Sequence, residues 1–226
     1  MLIPLLLMAA AAAAAPKPAP AWQAAPSPSS EASNAANAQA WEIGPIIRSR
    51  NYSVGMPLHP AQDRQGWSFE IPSPSLGAGH VHYVTFNHGP LTGKRRIVMR
   101  YRIDAAPGVR FVPREYPDEP ALLSLYFQRR GDNWAARGRS MHYRWYAAPQ
   151  RVVQVTPGEH VISIDLDEAD WISLAFEPGT ANPLAFRDAI DNAERVGFVF
   201  GAALGRGHGM FATGRARMTV TSFQIL

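Results

Sequence analysis

Short runs in which apolar and polar residues alternate begin at Trp67 and continue to the C-terminus. They are WSFEI (67–71), HVHYVTFN (80–87), RIVMRYRI (96–103), ALLSLYFQR (121–129), MHYRWYA (141–147), RVVQV (151–155), HVISIDL (160–166), WISLAF (171–176), RVGFVFG (195–201) and ARMTVTSFQI (216–225). Each is bounded by Gly, Pro, Asp or Asn, residues that end strands. One segment departs from the period of two. In NPLAFRDAIDNA (182–193), Phe186, Ile190 and Ala193 share a helical face. Asn182 suits an N-cap there, and Pro183 suits the first helical position. About ten strands and one short helix near 182–193 predict an all-β chain, an antiparallel β-sandwich of jelly-roll type. No internal repeat is visible.

Successive side chains of a strand point to opposite faces, so each run sorts its residues into two sets. In 97–103 the core set is Ile97, Met99, Tyr101 and Ile103, and the other face carries Val98, Arg100 and Arg102. In 122–128 the core set is Leu123, Leu125 and Phe127, opposite Leu122, Ser124, Tyr126 and Gln128. In 141–147 it is Met141, Tyr143, Trp145 and Ala147, opposite His142, Arg144 and Tyr146. The non-core sets are rich in planar groups, not in the Lys, Glu and Thr of an ordinary wet face. If the three strands are neighbours, they build a surface of rings and forked donors. Rings cover the C–H face of a sugar, amides and guanidinium groups bond its hydroxyls, and arginine pairs with a carboxylate. The opposing reading is a covered face in which arginine stems pack on rings. Trp134, in the polar loop RRGDNWAARGRS, reads as a sugar platform or as a lid on the core.

The first residues differ in kind. Leu2 to Ala15 form an apolar run too short to span a bilayer, followed by Pro and Ala. It reads as the hydrophobic region of a signal peptide over 1–21, although no Lys or Arg precedes Lys17. Residues 22–40 are mostly Ala, Pro, Ser, Asn and Gln, a disordered linker by composition. A single domain over 41–226 is then expected, in a periplasmic or secreted protein.

Composition narrows the chemistry. The chain has no cysteine, which excludes disulfides, thiolate nucleophiles and Cys-ligated metals. A 46% hydrophobic, 10% aromatic sequence can build a core. Only two of the 22 basic residues are lysine. This fits a GC-rich genome or an anion-binding surface. Residues 94–151 hold 13 basic and 5 acidic groups, whereas 159–191 hold 8 acidic groups and one arginine. No nucleic-acid motif accompanies the arginines, so nucleic acid is not an expected partner. His80 and His82 in HVH, with His88 beyond, have a metal-site spacing without the further ligands a site needs. Asp165, Asp167 and Asp170 in DLDEAD lack the glycine and terminal Glu of a calcium loop and read as a solvated turn. No G-x-S-x-G elbow occurs. Glu70, Glu115, Glu159 and Glu177 are too scattered to single out a hydrolytic pair. The glycines of GAALGRGHGMFATG lie between strands, so no helix N-terminus is there to cradle phosphate. His208 sits at that loop's tip.

The order of elements in the C-terminal half carries a resemblance. A Trp-led strand (WISLAF), a short helix (LAFRDAIDNA), the strand VGFVFG, a glycine-rich loop and the final strand ARMTVTSFQIL follow one another. Over 120–226 this resembles carbohydrate-binding modules of the galactose-binding-like jelly-roll superfamily. The resemblance implies a noncatalytic glycan-binding module, with a structural calcium as the one ion such modules often hold. The acidic ligand residues those modules use are not identifiable here.

Together these readings predict an exported protein that binds a polysaccharide or oligosaccharide, an acidic one in particular, without catalysis or cofactor, and with no integral membrane segment in the mature chain. The expected ligand residues are Arg100, Arg102, Tyr126, Gln128, Trp134, His142, Arg144, Tyr146 and His208. The alternatives are a polysaccharide lyase or other glycan-active enzyme on the same face, or an envelope module that binds another protein. In the lyase, Tyr146 or His142 would be the base and Arg144 the charge neutraliser.

Overall fold

The computed structural model describes residues 36–73 and 79–226. The leader expected over 1–21 and the linker as far as residue 35 lie outside the described residues. The folded part starts slightly earlier than expected, because Ala38–Ala40 form a 3-10 turn with Ala38 fully buried.

From Trp41 onward the described residues form sixteen strands and one α-helix, in chain order. They are β1 (Trp41–Gly44), β2 (Ile46–Ile47), β3 (Arg50–Asn51), β4 (Ala61–Asp63), β5 (Gly66–Ile71), β6 (Tyr83–Asn87), β7 (Arg96–Ala105) and β8 (Phe111–Pro113). Then come β9 (Leu122–Arg129), β10 (Arg144–Ala147), β11 (Val153–Gln154), β12 (Gly158–Asp165), β13 (Trp171–Ser173), α1 (Pro183–Asp191), β14 (Ala193–Gly201), β15 (Met210–Ala212) and β16 (Ala216–Ile225). The ten expected strands are an undercount. Of the six additional ones, β1 has four residues, and β2, β3, β4, β8 and β15 have two or three, too short to show a period.

All strand pairs among the described residues are antiparallel, in two main sheets. One has seven strands, ordered β1-β6-β14-β9-β10-β13 with β11 also on β9; the other has five, ordered β12-β7-β16-β5-β4. The chain is thus an antiparallel β-sandwich. Its core lies between the sheets, where Trp41 from β1 meets Trp67 from β5 at 4.5 Å between ring centroids, and Phe223 from β16 at 5.0 Å. Trp145 and Trp171 are also fully buried. Replacing one such ring by Ala typically costs about 3–5 kcal/mol.

Helix α1 covers one end of this core through Phe186, whose ring lies 5.0 Å from Trp145 and 5.9 Å from Phe127. Ala189 is buried beside it and Ile190 packs on the core. Asn182 occupies the cap position, but its side chain makes no capping bond; it donates to Glu177 at 2.7 Å.

The alternation in β7, β9 and β10 is observed. Ile97, Met99, Tyr101 and Ile103, then Leu123, Leu125 and Phe127, then Trp145 and Ala147, all face the main core. The expectation that all three strands are neighbours is corrected. β9 pairs with β10, but β7 lies in the other sheet between β12 and β16. Period two assigns a side chain to a face of its strand; it carries no information about which sheet the strand joins.

Candidate functional site

The outer face of the seven-stranded sheet holds a second buried cluster, separate from the core. The register aligns Tyr126 with Tyr146 and Gln128 with Arg144 across β9 and β10. On the far side of β14, β6 contributes Tyr83, which is paired with Val199. Tyr83, Tyr126, Tyr146, Ala148, Ile172 and Val199 pack together there. Three tyrosines on one sheet face each need a partner for a buried hydroxyl. Tyr83 and Tyr146 meet oxygen to oxygen at 2.9 Å, and Tyr126 donates to Gln128 Oε1 at 3.1 Å.

The loop after β9 folds back over these rings. Asp132 Oδ1 accepts the backbone N–H of Trp134 at 3.0 Å, and Asn133 Oδ1 accepts that of Ala135 at 3.0 Å. These two local turns hold Trp134 at φ +64°, a left-handed conformation that an ordinary residue adopts only at a cost of about 1–2 kcal/mol. The indole then stands edge-on to Tyr83 at 5.3 Å, and the Arg144 guanidinium lies 5.1 Å from its centroid. Arg144 Nη2 donates to the Ala135 carbonyl at 3.0 Å, tying the loop to β10.

Charge in the cluster is only partly matched. Asp132 Oδ2 accepts from Gln128 Nε2 at 3.0 Å and stands 3.0 Å from Arg144 Nε. Arg144 Nε does not point along a hydrogen bond, so this second contact is electrostatic. Burial pushes the Asp132 carboxyl up, against the pull of Arg144. Burial also raises the phenols of Tyr83, Tyr126 and Tyr146.

A second arginine comes from the glycine-rich loop between β14 and β15. Gly207 has φ +76° and lies so close to Tyr83 that a Cβ would collide with the phenol; Gly209, at φ +89°, lies as close to the His82 ring. Only glycine satisfies both demands at these positions. Held this way, the loop sends Arg206 under the cluster's edge, where its Nη1 donates to the Ala147 carbonyl at 2.5 Å.

Of the expected site residues, Tyr126, Gln128, Trp134, Arg144 and Tyr146 come together. Arg100 and Arg102 do not. They sit on the outer face of the five-stranded sheet, Arg100 exposed and Arg102 bonded to Asp104 at 3.0 Å. His142 belongs to a 3-10 turn, Gly138–His142, not to a strand, and packs on the core ring Trp145 at 6.2 Å. The polar stretch Gly138–Ser140 before it continues the loop and delays β10 until Arg144. His208 is exposed at the loop tip and paired with Glu115 at 2.5 Å. Asp165 and Asp170 bond Arg96 and Arg151, and Asp167 accepts from the Ala169 backbone. Among the described residues no group of three or more His, Cys, Asp or Glu is placed to hold a metal ion. No described helix is long and apolar enough to cross a membrane.

Three members of the cluster escaped sequence reasoning. Tyr83 and Thr85 alternate with Val84 and Phe86, the same signal that marked β9 and β10. Asp132 reads as a turn residue. Arg206 has only its flanking glycines, Gly205 and Gly207, to mark it. No protein-family model matches this chain, and a search of curated proteins finds no match for it.

Proposed function

We propose that this protein binds a glycan without catalysis, at the outer face of the seven-stranded sheet. The observation that supports this most is the convergence of Tyr83, Tyr126, Tyr146, Gln128 and Arg144 into one buried group of rings, polar contacts and charge beneath Trp134. Binding pockets for small ligands combine apolar rings with a few convergent polar groups in this way. Trp134 is half-buried at the mouth of the group and is the ring a pyranose meets first. Arg144 and Gln128 lie behind it, both held against Asp132. The leader-like N-terminus adds a periplasmic or secreted location, where polysaccharides are at hand.

The same residue types could serve a polysaccharide lyase with Tyr146 as base. A base must release its proton, and burial holds the Tyr146 proton more tightly than in water. A neutral hydrogen-bonding role therefore suits this phenol better.

The test is a glycan-array screen of the full chain beside Trp134→Ala. Binding by the wild type that falls at least tenfold in the variant, with its unfolding still cooperative, supports the reading. No binding to any glycan overturns it in favour of a protein partner. Growth of the absorbance of an unsaturated uronate, on whichever glycan binds, would replace binding with turnover.

A further inference from the structure

Arg206 is 8% exposed, and among the described residues its charge has no counterpart. Among the described residues no carboxylate lies within ion-pair distance of it, and its one hydrogen bond is to the Ala147 carbonyl, through Nη1. Nε is buried without a partner. Buried guanidinium groups are ordinarily paired, because desolvating an uncompensated charge is costly. Arg144, in the same cluster, meets that requirement through Asp132. With two arginines and one carboxylate, the cluster carries an excess positive charge beside the Tyr146 phenol.

The geometry of the free edge selects the missing group. With Nη1 engaged, the Nε and Nη2 donors remain, side by side in one plane. That edge matches the two oxygens of a carboxylate. Arg206 also lies closer to solvent than the centre of the cluster. Tyr126 is 0% exposed, while Tyr83, Arg144 and Arg206 keep 6%, 6% and 8%.

We infer that Arg206 is the carboxylate-recognising residue of the site, so that the glycan it takes is a uronate-bearing one. This rests on the glycan-binding reading above and gives its substrate class. The carboxylate binds side-on to Nε and Nη2 of Arg206, and the sugar ring extends outward towards Trp134. The unpaired arginine thereby becomes a selectivity device: a neutral sugar leaves Arg206 buried and uncompensated, and an acidic one neutralises it.

The experiment compares uronate oligosaccharides (galacturonate, glucuronate and mannuronate) with their carboxyl-reduced counterparts, which differ only in that group. Affinities are measured by calorimetry on the full-length protein, on Arg206→Gln and on Arg206→Lys. Acetate is added as a sugar-free carboxylate and read by thermal stabilisation. The expected result is at least tenfold preference for one acidic form, abolished in Arg206→Gln and partly kept in Arg206→Lys. Equal binding of acidic and reduced forms, or a preference unchanged in Arg206→Gln, overturns the assignment of Arg206 and leaves glycan binding standing. Stabilisation by acetate that Arg206→Gln removes, without binding of any oligosaccharide, keeps the carboxylate position and overturns the glycan. Binding of neither overturns both.

Discussion

The phenol oxygens of Tyr83 on β6 and Tyr146 on β10 stand 2.9 Å apart, although β14 and β9 lie between those strands. Three interstrand spacings of about 4.8 Å separate the two backbones. The side chains therefore converge beside Tyr126, whose ring lies 5.0 Å from that of Tyr83 and 5.2 Å from that of Tyr146. This one contact closes the cluster across the sheet, and its strength can be measured. Tyr83→Phe and Tyr146→Phe should each lower unfolding stability by about 1–2 kcal/mol, since each leaves a buried hydroxyl without its partner. In a double-mutant cycle by urea unfolding, the pair should show about 1 kcal/mol of coupling. Strict additivity would mean that the two hydroxyls do not interact in solution.

Arg144 and Asp132 form the buried charge pair under Trp134. Arg144→Met should cost about 3–5 kcal/mol at pH 7, because it strands the Asp132 charge. The loss should depend on pH, with a definite sign. Asp132 already binds its proton more tightly than an unfolded Asp, and without Arg144 it binds it more tightly still. Folded variant then holds a proton that the unfolded chain lacks, so the deficit shrinks on acidification. Unfolding curves at pH 7 and pH 5 should differ by about 1 kcal/mol or more in the variant relative to wild type. A deficit constant with pH would place Asp132 outside the pair.

His82 gives the opposite dependence. Its ring is buried, with Nδ1 at 3.0 Å from the Gly207 carbonyl and Nε2 unpartnered. Burial brings its pKa from 6.5 down to about 4, and His80, Arg114 and His208 add repulsion. Between these values the unfolded chain binds the proton and the folded one does not. Stability therefore falls as pH drops from about 6.5 to about 4, by about 3 kcal/mol in all from this group. His82→Gln should flatten that part of the pH profile in chemical unfolding, whatever it does to stability at pH 7.

Gly207 and Gly108 separate backbone strain from collision. Both have positive φ, +76° and +79°, but a Cβ at Gly207 meets the Tyr83 ring, whereas one at Gly108 meets nothing within 4 Å. Gly108→Ala should cost about 1 kcal/mol, and Gly207→Ala about 2–4 kcal/mol. The second should also weaken uronate binding, because it displaces the loop that carries Arg206. Thermal unfolding of the two variants provides the comparison.

Much of the candidate face was legible beforehand because period-two alternation is local. Leu123, Leu125 and Phe127 had to share one side of their strand, and Tyr126 and Gln128 the other, whatever the strand paired with. Arg144 and Tyr146 followed by the same rule. Arg100 and Arg102 obeyed it too and still ended on the opposite surface, since sheet membership depends on pairings between residues far apart in sequence. His142 was misplaced for a smaller reason: the loop's 3-10 turn consumed the start of the expected strand.

Local pattern in the sequence specified an all-β chain with a short helix near 182–193, the inward and outward sets of each long strand, and the absence of cysteine chemistry. These depend on neighbours a few residues away. Tertiary structure alone decided that β6 and β10 share a sheet while β7 does not. It also decided that Trp134 turns back over the tyrosines, and that a glycine-flanked arginine at 206 lies buried with no counter-charge among the described residues. Those outcomes arise from contacts between residues such as Gly207 and Tyr83, which are more than a hundred positions apart, and no local pattern encodes them.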